Sequence, residues 1–140
     1  MARLDYLDTY AQSFYKRLYE NPPTGYTVDQ IVNADINPIQ SASGDFIKQS
    51  TVIVDRLNSS AGGLTARTSF LHTLSIYVDK KDTSKRLGIF DTSKELISLF
   101  ENQYFDGLYC QEATPENNGD EPNTNLYRYD VIISGYFEGN

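Results

Sequence analysis

The sequence predicts an α+β fold, an antiparallel sheet of about four strands with two amphipathic helices packed on one face. Three observations lead there. Apolar residues recur at helical spacing twice, near residues 4–18 and 87–104. Strand-type patterns occupy 49–57, 65–78 and 126–137. The order of helix, two strands, helix and two strands lets one sheet bury both helical stripes. A length of 140 residues suits a single domain, 1–140. That length buries a core without disulfides or metals.

The first helix is read from Leu4, Leu7, Ala11, Phe14, Tyr15 and Leu18, which form one stripe. Asp5, Asp8, Gln12, Lys16 and Glu20 take the other side. Pro22 and Pro23 stop it. Thr27 to Ile31 reads as one helical turn capped by Thr27. Thr51 to Val54, with Leu57, is a β-branched run. Asn58 to Gly63 is a flexible connection, and a second strand follows from Thr65 to Val78. In that strand Phe70, His72, Leu74, Ile76 and Val78 alternate with more polar residues, so one face is buried. The two strands pair as a long antiparallel hairpin.

The second helix is placed over Leu87 to Tyr104, or from Thr92 if Thr92 and Glu95 form a capping box. Gly107 ends that region, and Leu108 to Glu112 reads as a short strand. Residues 113–125 are rich in Pro, Asn, Gly, Asp and Glu and read as an exposed acidic loop. The last strand is Leu126 to Phe137, with Tyr127, Tyr129, Val131, Ile133 and Phe137 on one side.

Charge is uneven. The net charge is -7, and residues 101–140 carry all of it, with eight acids against Arg128. Lys80, Lys81, Lys85, Arg86 and Lys94 form a locally basic stretch. Such a balance argues against sequence-independent nucleic-acid binding, which needs a basic field. No run of ~18 apolar residues exists, so no membrane span is expected. The N-terminus lacks the apolar stretch of a signal peptide, and the cytoplasm is the expected compartment.

Catalytic chemistry is sparse. The one histidine, His72, falls on the alternating apolar face, where a core histidine is commoner than a base. The one cysteine, Cys110, excludes an internal disulfide and a multi-cysteine zinc site. No phosphate loop or EF-hand pattern is present. The expectation is a protein that is not an enzyme and needs no cofactor. Function then lies in surfaces. Three stretches stand out: the connection Asn58, Ser59, Ser60, Gly62, Gly63 and Leu64, the acidic stretch with Glu116, Asp120 and Glu121, and the tyrosines of the last strand. Tyrosine occurs 11 times, and its amphipathic ring suits surfaces buried on assembly.

The layout of Leu4 to Tyr19, Thr65 to Val78, Lys94 to Phe100 and Leu126 to Phe137 resembles the tail terminator or tail completion proteins of long-tailed bacteriophages, and related small neck proteins. The resemblance is one of layout and covers about half of the chain. It implies a structural virion protein whose copies form a ring, commonly a hexamer, at the head-proximal end of the tail. Its partners would be the tail tube protein and a head-completion or neck protein, with DNA passing through the channel without specific binding. Glu116, Asp120 and Glu121 are then candidates for an acidic lumen. A ring needs two different patches per subunit. One is expected at the Asn58 to Leu64 connection and the other near the second helix, where Lys81, Lys85 and Arg86 meet a neighbour's acidic segment. A head-closure or adaptor role, or a small non-viral acidic binding module, stays open beside it.

Overall fold

The computed structural model describes residues 5–33, 45–58, 66–122 and 124–139. Helix α1 spans Asp5–Glu20. Phe14, Tyr15 and Leu18, one turn apart on one face, are buried. After a single 3-10 turn, Val28–Gln30, comes β1, Ile31–Asn33. The backbone N–H of Thr27 donates to Oε1 of Gln30 at 2.9 Å and fixes that turn. Strands β2, Phe46–Asn58, and β3, Ala66–Asp79, form the expected antiparallel hairpin. Helix α2, Thr83–Phe100, follows, then β4, Tyr104–Phe105, β5, Leu108–Asp120, and β6, Leu126–Gly139.

The sheet order is β1-β2-β3-β6-β5-β4, and the sheet curls strongly into a half-barrel. The α+β class stands, but the sheet has six strands and is mixed, because β1 runs parallel to β2. β1 and β4 hold three and two residues, too few for any periodicity to register. The long strands β3 and β6 are central and pair along their whole length, from Ala66↔Gly139 to Asp79↔Leu126.

The larger correction concerns residues 113–125. They are not one loop. β5 continues to Asp120 and pairs Thr114, Pro115 and Glu116 with Ile132, Val131 and Asp130. A near-edge strand needs only backbone pairing on one side, so exposed polar side chains are tolerated. Proline is tolerated at such a strand for the same reason. Register shifts at Cys110/Ala113 and Asn117/Gly119 bend the strand.

The second helix also starts earlier than the periodicity indicates. Asp82 caps it, its carboxylate accepting from the Lys85 N–H at 3.1 Å. Thr92 is therefore mid-helix, and its hydroxyl donates to the Gly88 carbonyl. The helix ends at Phe100, and Gly107 belongs to a two-residue hairpin turn. Asp106 and Gly107 both have positive φ, 50° and 83°, as an Asp-Gly turn between paired strands requires.

Both helices bury their apolar residues against one face of the sheet. Phe14 of α1 stacks on His72 at 4.2 Å and meets Phe70 edge-on at 4.9 Å. Leu96 and Phe100 of α2, with Leu74, Val131 and Ile133 of the sheet, complete this core. Each such side chain contributes roughly 1.5–3 kcal/mol by leaving water. A smaller cluster, Val32, Phe46 and Tyr77, closes one corner of the opposite face. Among the described residues, no helix is long and apolar enough to cross a membrane.

Candidate assembly surfaces

The reactive residue types are locked inside. His72 is fully buried, and burial lowers its pKa to about 3. A chain of hydrogen bonds fixes its tautomer. The Gln49 amide nitrogen donates to Asn33 Oδ1 at 2.8 Å. Its oxygen therefore faces His72 Nε2 at 3.1 Å and accepts. His72 Nδ1 is left to accept from the Thr51 hydroxyl at 2.7 Å. Asn33 donates in turn to the Tyr19 hydroxyl at 3.1 Å. This network ties α1, β1, β2 and β3 together. An imidazole with both nitrogens occupied and a neutral resting state is a structural group. Cys110 is buried as well, and burial pushes its thiol up to about 12, far from a thiolate at neutral pH.

A cleft of about 330 Å³ lies between the Thr24–Tyr26 turn, Asp45 and α2. Asp45 holds Lys85 across it at 3.2 Å. Burial and the nearby Asp45 carboxylate push the Tyr26 phenol up to about 12. Among the described residues, no group of histidine, cysteine and carboxylates is arranged to hold a metal ion.

The outer face of the sheet carries cross-strand aromatic contacts. Tyr104, Tyr109 and Tyr136 stack in sequence across β4, β5 and β6, at 4.3 and 4.9 Å. The Arg67 guanidinium of β3 closes the row at 4.1 Å from the Tyr136 ring. At the other end of this face, Phe46 stacks on Tyr77, and Arg128 grips the buried Asp130 through two hydrogen bonds of 3.0 and 2.9 Å.

Two further sets of apolar residues are exposed. One is Val52, Ile53 and Val54 on β2, 57, 39 and 57 % exposed, with Val52 and Ile53 on opposite faces of the sheet. The other is Leu87 and Phe90 on α2, 64 and 52 % exposed, beside Arg86 and Tyr127. The sequence points to neither, because Thr51 to Val54 reads as strand and Leu87 to Tyr104 as helix.

The residues singled out from sequence are scattered. Ser59, Ser60, Gly62, Gly63 and Leu64 lie outside the described residues, and Asn58 ends β2. Lys81 and Arg86 are exposed; Arg86 lies over the Tyr127 ring at 4.4 Å and donates to the Lys80 carbonyl. Lys85 pairs with Asp45, so this charge is engaged within the chain. Glu116 is opposite Asp130, and Asp120 is opposite Tyr127, residues of β6 that point to opposite faces. Glu121 faces Arg128 at 3.8 Å. The structure does not bring these three acids onto one face. The sequence matches no protein-family model and no curated protein.

Proposed function

We propose that this chain is a structural assembly protein, a tail terminator whose copies close into a ring on a phage tail tube and offer a docking surface to the head. One observation carries the assembly part. Large apolar side chains stand exposed on β2, α2 and the β4–β5 hairpin, while the one histidine and the one cysteine are buried and inert. Exposed apolar groups gathered on separate elements are what association covers. The layout resemblance supplies the specific role.

Light scattering coupled to gel filtration tests the reading, followed by mixing with polymerising tail-tube protein. The expected result is a ring-sized species, or a monomer that assembles on tubes and stops their growth. A strict monomer with no effect on tube growth removes the reading and leaves a small acidic binding module. A chain that binds filled heads but not tubes is a head-closure or adaptor protein.

A further inference from the structure

A strand at the margin of a sheet carries backbone groups that the sheet itself does not use. The two margins of this half-barrel differ in that respect. β1 covers β2 only at Ile47, Lys48 and Gln49. From Ser50 to Ile53 the strand is paired with β3 on one side and, among the described residues, with no backbone group on the other. Backbone N–H and C=O groups point alternately to the two sides of a strand, so every second residue of this run offers both to the outside. Val52 and Ile53 are exposed on opposite faces, so the run is open on both faces as well as along its side.

The far margin is closed. Cys110 N–H donates to the Gln103 carbonyl, Asn102 N–H to the Gln111 carbonyl, and Ala113 N–H to Glu101 Oε2. Pro115 beyond them has no N–H, and Glu116 and Asp120 add charge. Such stitches, proline and charge keep a margin from pairing. Ser50 to Val54 has no proline and no charged side chain, and its last four residues are β-branched. The register shift between Ile53 and Asp55 bends the strand and sets the end of the open run.

Open backbone groups select an extended chain as the occupant, because another strand satisfies a row of them in register. Within this chain the far margin is closed, which leaves the same run on a second copy. Laid antiparallel about Val52, the run is complementary to itself. Val52 meets Val52, Thr51 meets Ile53, and Ser50 meets Val54. Two copies of net charge -7 thus meet where no like charges are opposed, and branched side chains face one another across the join.

We infer that β2 of one copy adds to β2 of a second copy as an antiparallel strand centred on Val52, so that two sheets become one across a two-fold axis. Such a contact uses the same patch on both copies and is complete at two. It goes beyond the ring reading, in which each copy presents two different patches, and it pairs copies whether or not a ring forms.

Val52→Lys and Val52→Glu test it at an exposed position. Each is measured alone and in an equal mixture by light scattering, with circular dichroism to follow the fold. The expected result is a parent chain that pairs, loss of the paired species in each variant alone, and its return in the mixture, where lysine faces glutamate. A parent chain that stays monomeric overturns the inference, and so does a variant that alone keeps the parent's mass. Loss in both variants with no recovery in the mixture means that β2 meets a different surface, and also overturns it. A short bismaleimide gives an independent reading. Val52→Cys alone is expected to form a covalent dimer on a denaturing gel, while buried Cys110 leaves the parent chain unlinked. Absence of that dimer overturns the pairing. The ring reading fails on a different result, a parent chain with no effect on tube growth.

Discussion

A histidine wholly buried against Phe14 and Phe100 stays neutral, because burial strips water from its charged form. His72 has a folded pKa of about 3 against an ordinary value of 6.5, so the unfolded chain binds a proton that the folded chain refuses. Stability from this group is complete above pH ~6.5 and drains as pH falls from there toward ~3, at up to ~1.4 kcal/mol per pH unit. Urea unfolding between pH 7 and pH 5 checks this, and His72→Gln flattens the dependence over that range. An equally steep loss in the variant refutes the assignment. A second residue-scale prediction concerns Gly135. A methyl group there meets the Tyr109 carbonyl oxygen and comes to 2.7 Å of Phe70 Cζ. Gly135→Ala is expected to cost ~1–3 kcal/mol by overpacking, read from the denaturation midpoint. The alternation of β3 made the burial of His72 legible from sequence. Its partners were not, because Gln49, Thr51 and Asn33 reach it only through the register of two strand pairs.

At the scale of elements, the long periodic segments were the readable ones. α1, the β2–β3 hairpin and β6 lie where the apolar spacing put them, since burial of one face demands that spacing. β5 was unreadable beyond Glu112 because its order comes from backbone bonds to β6, which no side-chain pattern announces. The Asp-Gly turn after β4 is legible in principle, but the apolar residues before it continue the helical spacing of α2. What joins these elements is long-range in sequence. Arg17 of α1 donates from Nε to the Leu99 carbonyl at the end of α2, at 2.9 Å, and lies over the Phe105 ring of β4 at 4.3 Å. Its planar fork does both at once, and a lysine does neither well. Arg17→Lys is therefore expected to lower stability by ~1–2 kcal/mol, seen as a thermal midpoint a few degrees lower. An unchanged midpoint means that α1 is held by its apolar face alone.

For the whole molecule the governing quantity is charge. Sequence reading placed the basic Lys80–Arg86 stretch against a neighbour's acids, which makes assembly an ion-pair event that salt weakens. Folding changes the balance. Lys85 is taken by Asp45, Arg86 lies on Tyr127, Arg67 on Tyr136, and Arg128 is shared by Asp130 and Glu121. Much of the positive charge is thus engaged at home, and each copy still carries a net charge of -7. Copies brought together repel one another. Raising salt from ~0.01 M to ~0.15 M shortens the screening length from about 30 Å to about 8 Å and removes most of that repulsion. Contacts between valines, Leu87 and Phe90 are not weakened by the change. Association is therefore expected to strengthen over this range. Light scattering at fixed protein concentration reads it directly. A mass that rises with salt means apolar contacts working against like charge. A mass that falls means that exposed basic residues such as Lys81 hold the copies together, and attention returns to the surface first read from the sequence.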